Sequence, residues 1–480
     1  MNCTIKHVMS TITLFVGILL IFTAINIQPV MADSSDEPNY IRIGLKYGSS
    51  SANTYDVTFK NGVILGYGDN DNFTEKATFN DIVLVSISIS GNDISLTGTK
   101  NSGESINLMD GLNGVNCIMP ANYDDGGTFM FQGSQYRGGV AFNVTSGKLT
   151  IIDLLHVEDY LYGVINGELS SSYPLEALKA QAVAARSFSI QKLNTHNSYG
   201  FDLCNSTHCQ VYKGYDDEYA QTTKAVDETK GETIQYDGKI VPAFFYKNSG
   251  GYTQDAADVW NGQVGYLKAV NDKYSPVYSW SQTYNFDELS SKLSAAGYNV
   301  GTLQSVSITK RNQSGAVDTL QFTGTAGSVQ IQKEKIRTVL GAIAVKSTMF
   351  SFSEYQAGTT VPDDNIDVFI CPKSSTNMKS LSDQAYVLGK DGKMILVDAD
   401  DMYVHNGSST AKISNLDNSE TSSNDNSKGL ESVSSGSVTF YGQGYGHGVG
   451  LPQDSAVEMA KQGFSYKEIL KYYYTDITIE

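Results

Sequence analysis

The stretch that decides the reading is VEDYLYGVINGELSSSYPLEALKAQAVAARSFSIQKLNT, residues 157 to 195. Val157, Tyr160, Leu161 and Val164 recur at three- and four-residue steps, which predicts a helix from Val157 to about Asn166. Gly167 breaks that period beside Glu168. A second helix opens at Pro174, a residue suited to a first turn because its missing N–H would have no partner there, and runs to about Asn194. Five alanines between Ala177 and Ala185 keep its surface small, so neighbours can approach closely, as they do around a buried helix. Glu168 is thereby expected at a rigid corner between two helices.

Working outward toward the N-terminus, YRGG at 136 to 139 and the alternating VAFNV at 140 to 144 feed the first helix. VLVSISIS at 83 to 90 has the same two-residue period of half-buried strands. Residues 41 to 154 are therefore expected to be strand-rich. Ahead of them, Lys6 and His7 precede an apolar run from Val8 to about Ile27, then Val30-Met31-Ala32. This is the layout of a secretory signal cleaved after Ala32, with an uncleaved anchor as the alternative. Either way the remainder is expected outside the cytoplasm, with residues 33 to 40 as a polar leader.

Working outward in the other direction, Cys204 and Cys209 with His196 and His208 put two thiols and two imidazoles into fourteen residues. That density suits a tetrahedral zinc ion, although the spacing is no finger motif. A Cys204–Cys209 disulfide is the other reading for an exported chain. Cys117 and Cys371 are buried thiols or a bridge. A helix is expected from about Glu218 to Thr229, then a turn at Asp237-Gly238 and a strand through Phe244-Phe245-Tyr246. Ser249-Gly250-Gly251 bares the backbone at that strand's end, where a ligand can reach main-chain amides. Tyr246, Tyr252 and Trp260 offer aromatic faces on which a ligand can stack. Strand patterns fill 299 to 332, and a short helix follows at about 333 to 340. Residues 353 to 437 read as an insertion, a small strand unit followed by a Ser/Asn-rich flexible linker from Ser408. The closing block from 438 holds glycines at alternate positions from 442 to 450 around His447. Two helices separated by Gly463 follow.

The 480 residues suffice for two or three domains, and the fold class that emerges is α+β. A formal charge of −17 argues against nucleic acid or anionic membrane as partner, since a phosphate binder needs a basic face. A nearly neutral polymer suits it better.

The first stretch resembles the signature of the stage II sporulation protein D (SpoIID) family, which includes amidase enhancers. The resemblance extends through YRGG, CQVYKGY (209 to 215), FFYKNSGGYTQDAADVW (244 to 260), LGAIAVKSTMF (340 to 350) and GQGYGHGVGLPQDSA through ILKYYY (442 to 474), in the family's order. It implies a core at 155 to 352 with the C-terminal block returning to it. It implies a lytic transglycosylase acting on peptidoglycan glycan strands, or else a non-catalytic amidase enhancer that binds an amidase or the wall. Glu168 would be the general acid and base. Ordinary glycosidases need two carboxylates, whereas in a lytic transglycosylase the muramic acid C6 hydroxyl attacks its own anomeric carbon, so one suffices. Arg186, Gln210, Tyr246, Ser249, Gly250, Gly251, Trp260 and Gln453 are the expected substrate contacts. His447 is expected as a further contact or second proton carrier, with a buried histidine satisfied by backbone as the alternative. Some members hold zinc at the cysteine/histidine place. The preferred ligands here are His196, Cys204 and Cys209, with His208 as substitute, and the ion would steady the loop. Two departures from the family stand out: Pro452, Asp454 and Ser455 around Gln453, and Asn166-Gly167 before Glu168.

Overall fold

The computed structural model describes residues 39 to 353 except Asn261, four short strands between 384 and 412, and residues 431 to 480 except Ser435. The stretch expected as a signal segment, Cys371 and most of the stretch expected as an insertion lie outside the described residues. The architecture is α+β, as expected.

The helices are α1 (Val157–Glu168), α2 (Leu175–Gln191), α3 (Ala220–Asp227), α4 (Ala256–Trp260), α5 (Phe286–Ala295), α6 (Lys335–Leu340), α7 (Gln453–Lys461) and α8 (Tyr466–Tyr473). Pro174 caps α2 from just outside rather than opening it. Asp237 and Gly238 both take positive φ, the backbone of a tight hairpin turn, between Ile234–Tyr236 and Lys239–Ile240.

The N-terminal strands form two sheets. In the seven-stranded one, Tyr40–Lys46 lies antiparallel to Lys148–His156 and parallel to Leu203–Cys204. The six-stranded sheet is built from strands between Thr54 and Arg137. They are not a separate body. Ile43, Val57, Phe129 and Ile151 share one apolar core with Tyr160, Leu161 and Val164 of α1 and with Ala177, Ala182 and Ala185 of α2. The opposite side of α2, through Ala180, Val183 and Ala184, enters a second core with Leu451, Met459, Ile469 and Tyr473. An alanine-rich helix buried on both flanks explains why 157 to 195 organises the chain: only small side chains let two cores close on it.

Within the stretch expected as the core, 155 to 352, residues from Ser279 to Ser351 share an apolar centre of their own with Val438 and Phe440, including Trp280, Leu289 and Phe322. The four-stranded sheet of this lobe runs Gly327–Gln332, Val317–Gly324, Leu303–Arg311 and Glu431–Val433. Two pieces expected elsewhere belong to it. Glu431–Val433, read as linker, pairs with Leu303–Arg311, and Ser437–Gln443, read as returning to the main core, pairs with Ser279–Asn285. A three-residue strand is too short to announce itself by alternation.

Candidate active site

Helix α1 runs through to Glu168, past the glycine expected to break it. Gly167 is there for space: a Cβ on it would lie 3.2 Å from both the Val211 side chain and its carbonyl oxygen. That close approach lets the Val211 N–H donate to Glu168 Oε1 at 3.0 Å. Asn166 ties the corner down. Its amide donates to Asp217 at 3.0 Å, and its oxygen accepts from the Ser171 N–H at 3.0 Å. The half-buried Glu168 carboxyl is raised above the ordinary glutamate value by burial, against the opposing pull of the Val211 N–H and the neighbouring Gln453 amide.

The carboxyl opens into a groove of about 660 Å³ whose walls include Phe188, Tyr246, Lys247, Trp260, His447 and Gln453. Five expected residues therefore meet in one place: Glu168, Tyr246, Trp260, His447 and Gln453. Among the described residues that line the groove, Glu168 is the one carboxylate. Phe245–Tyr246 runs parallel to Leu451–Pro452, which brings two segments about two hundred residues apart side by side. Gly450 has φ +80°, and a Cβ there would strike the Phe244 carbonyl, so the turn beside His447 admits only glycine.

His447 is tied to backbone through both ring nitrogens. Its Nδ1 accepts from the Val449 N–H and its Nε2 donates to the Phe245 carbonyl, both at 3.1 Å. Burial and the nearby Arg337 guanidinium lower its pKa to about 3, so the ring is neutral. The alternative reading, a histidine satisfied by backbone, holds. The ring also packs against Trp260, with centroids 5.0 Å apart.

Several expected contacts lie elsewhere. Arg186 is 1% exposed and donates two hydrogen bonds to Glu158, at 2.8 and 2.7 Å, and one to the Glu232 carbonyl at 3.0 Å. It is a structural ion pair. Gln210, also 1% exposed, accepts from the Tyr160 and Ser189 hydroxyls and joins α1 to α2. Ser249 donates to buried Asp272 at 2.6 Å, and Gly250 packs on the backbone of Gln443 and Gly444, so the Ser249-Gly250-Gly251 turn supports the C-terminal return rather than lining the groove. Tyr252 is likewise outside the groove, bridged to Asn271. Polar and glycine residues of a motif look alike in sequence whether they bind a ligand or seal a core. The unusual Asp454 and Ser455 find partners in this same support. Asp454 pairs with Lys247 at 2.7 Å, and Ser455 donates to Asp272 at 2.6 Å. The groove residues missed include Phe188, Phe244, Phe245, Arg337 and Ile343. The two phenylalanines of FFYKNSGG could have been found beside Tyr246, whereas Arg337 and Ile343 come from the other lobe, and the LGAIAVKSTMF block that contains Ile343 did not point to the groove.

His196, Cys204, His208 and Cys209 converge, with their ligand atoms all within 4.8 Å of one another. Cys209 Sγ lies 3.4 Å from His196 Nε2 and 3.4 Å from His208 Nδ1, and Cys204 Sγ lies 3.7 Å from His208 Nδ1. In tetrahedral zinc with ordinary Zn–S and Zn–N lengths, sulfur and nitrogen ligands stand about 3.6 Å apart, so the geometry fits the ion, and with all four residues as one set. Both thiols are free. Burial would raise the Cys204 thiol, but hydrogen bonding to Ser206, Cys209 and His208 outweighs it and brings the group down to about 6. The same loop lines the groove through Thr207, His208 and Cys209 and continues to Val211, which holds Glu168.

Residues 145 to 236 match the family of stage II sporulation protein, SpoIID, and residues 254 to 367 match a domain of unknown function, DUF8618. The chain carries a SpoIID family domain. It is 30% identical to the amidase enhancer of Bacillus subtilis over 368 residues, covering 75% of this chain and 46% of that protein. It is 26% identical to the stage II sporulation protein D of Bacillus amyloliquefaciens over 348 residues, 68% of this chain and 75% of that one. The chain thus spans about half the length of the amidase enhancer. The SpoIID segment holds Glu168 and the cysteine/histidine cluster, while Trp260 and most of the separate lobe fall within the DUF8618 match. The SpoIID domain supports a role at the cell wall.

Proposed function

We propose that this protein is a peptidoglycan lytic transglycosylase that cleaves the β-1,4 bond between N-acetylmuramic acid and N-acetylglucosamine. The observation that carries the reading is a groove with a single carboxylate among the described residues that line it, raised toward its protonated form by burial. Hydrolysis by the two-carboxylate routes needs a partner acid roughly 5 to 9.5 Å away. With one carboxyl, a nucleophile supplied by the substrate suits the site. Protonated Glu168 gives its proton to the leaving glycosidic oxygen as the bond to the anomeric carbon breaks. The muramic C6 hydroxyl attacks that carbon and loses its proton to the same carboxylate. The product is a 1,6-anhydro ring, no water is consumed, and Glu168 ends protonated as it began. Val211 and Gln453 hold the carboxyl while the aromatic walls offer surfaces for sugar rings.

The test is to incubate the chain and its Glu168→Gln variant with purified glycan and to analyse the products by mass spectrometry. Anhydro-muramic ends should appear with the first and not the second; ends from both, or from neither, defeat the reading. The similarity to an amidase enhancer favours a second reading, a non-catalytic wall protein acting through an amidase. Stimulation of an amidase by Glu168→Gln as strong as by the unaltered chain, with no anhydro ends, would select it.

We also propose zinc on His196, Cys204, His208 and Cys209. When bound it would supply structural closure of the loop, which the four side chains position so that the Val211 N–H meets Glu168. One equivalent of zinc per chain, lost in Cys209→Ser, is the expected outcome by elemental analysis. Site of action is proposed as extracytoplasmic, on the apolar run from Val8 to Ile27 and the Ala32 cleavage site.

A further inference from the structure

The groove has a wall from each lobe. Arg337, Ala342 and Ile343, from the region matched by DUF8618, line it together with Glu168 and Trp260 of the main body. The lobe is fastened there by hydrogen bonds that cross between the bodies: Gly446 N–H to the Lys346 carbonyl at 2.9 Å, Ser314 Oγ to the Thr253 carbonyl at 2.8 Å, and Asn312 Nδ2 to Gln254 Oε1 at 2.8 Å.

Ile343 stands out on this wall. It is 82% exposed, although it is a β-branched apolar side chain. A single exposed aliphatic residue is ordinary on a protein surface and means nothing alone. Here the backbone on either side is fixed. The buried Arg337 guanidinium donates Nε to the Val345 carbonyl at 3.2 Å and Nη2 to the Ala342 carbonyl at 3.4 Å. Arg337 also pairs with Glu334, so its own position is set. Ile343 is held out between two anchored carbonyls, on a groove that is also lined by Trp260, whose ring lies tilted against His447.

We propose that the DUF8618 lobe is a substrate-binding wall, with Ile343 contacting the apolar face or methyl-bearing substituent of an N-acetylhexosamine unit in the groove. This rests on the glycan reading of the groove. It gives the lobe a role in affinity, separate from the proton transfer at Glu168. The occupant is the glycan strand because the wall is continuous with the groove that holds Glu168. Pyranose rings and their acetyl or lactyl methyls offer the C–H surface an aliphatic residue can cover.

The experiment measures co-sedimentation of the full chain with insoluble purified glycan for the unaltered protein, Ile343→Ala, Ile343→Asp and Glu168→Gln. Ile343→Asp should raise the half-saturating glycan concentration about tenfold and Ile343→Ala a few-fold, while the melting temperature stays within a degree or so because the side chain buries little in the free protein. Chitin oligosaccharides separate the sources: equal loss on both ligands assigns the contact to ring or acetamido group, and loss on glycan alone assigns it to the lactyl group. Binding within twofold of the unaltered chain for both Ile343 variants overturns the proposal. If Glu168→Gln still produces anhydro ends but Ile343→Asp binds weakly, the catalytic reading falls and this one stands. Normal binding by Ile343→Asp with an inactive Glu168→Gln gives the converse.

Discussion

Replacing Arg186 with methionine separates a structural residue from a substrate contact. The guanidinium makes a two-pronged pair with Glu158, at 2.8 and 2.7 Å, and a third bond to the Glu232 carbonyl at 3.0 Å. Methionine keeps the apolar stem and deletes all three. Breaking a buried pair costs about 3–5 kcal/mol because the remaining charge is stranded. Glu158 keeps about a fifth of its side chain exposed and also accepts from the Gly231 N–H, so it rehydrates in part and the low end, about 3 kcal/mol, applies. With a urea slope of about 2–3 kcal/mol per molar, the unfolding midpoint falls by about 1–1.5 M. Adding Glu158→Gln should recover most of that loss, because the stranded charge is then gone. Glycan affinity per folded molecule should not change. An unchanged midpoint with weakened glycan binding would refute the reasoning and return Arg186 to the substrate.

The cleavage rate should fall as pH rises through the Glu168 pKa, and that limb should lie above the range of an ordinary glutamate because burial favours the proton. Gln453→Ala removes a group that favours the ionised form, so the limb moves further up, as a pH–rate profile would record; a downward move contradicts the assignment. His447 should show no titration between about pH 5 and 8 by proton NMR, since its pKa is lowered to about 3, and a midpoint in that window would mean that the backbone bonds to its ring are not made. Asp153 is fully buried, with Oδ2 taking the Tyr212 hydroxyl at 2.7 Å and Oδ1 without a partner, and burial raises its pKa well above the usual value. A group with a raised folded pKa gives its full stability below its unfolded value, about 3.9, and loses it as pH rises through the folded one. The melting temperature should therefore decline from about pH 4 upward. Asp153→Asn should lack that component; parallel curves for the two proteins would disprove it.

The legible parts of the molecule were those written in local spacing. The α1 and α2 periods, the strand alternation, the hairpin at Asp237-Gly238 and the break at Gly463 all express short-range rules. The groove was legible only where its residues sat inside recognisable blocks, which is how Glu168, Tyr246, Trp260, His447 and Gln453 were found together. Arg186, Gln210 and Ser249 sat in the same blocks for another reason: they satisfy buried partners, and a motif does not say which way a side chain points. Arg337 lay outside those blocks and Ile343 inside one, LGAIAVKSTMF, but neither could be assigned to the groove because their place in the site depends on a lobe docking across the chain. The four-ligand cluster was half legible, since density in sequence named the residues but only folding decides whether His196 reaches the other three.

The segment that matches SpoIID, residues 145 to 236, contains Glu168, and it is nonetheless insufficient for the site. Helix α2 inside it is covered on one flank by residues from the far end of the chain: Val449, Leu451, Ala456, Met459, Ile469, Leu470, Tyr473 and Tyr474, all buried. At about 1.5 kcal/mol for each of the seven side chains larger than alanine withdrawn from water, the lowest figure for a full burial, these contribute about 10 kcal/mol. That is comparable to the whole stability of an ordinary domain. A chain ending at residue 437 would also lose Gln453 from beside Glu168 and His447 from beside Trp260. It should therefore fail to resist protease at concentrations the full chain survives, and show no groove binding, with its Glu168 and its four metal ligands intact in sequence. A truncated chain that stayed folded and bound glycan would mean that the C-terminal return decorates the SpoIID core rather than completing it.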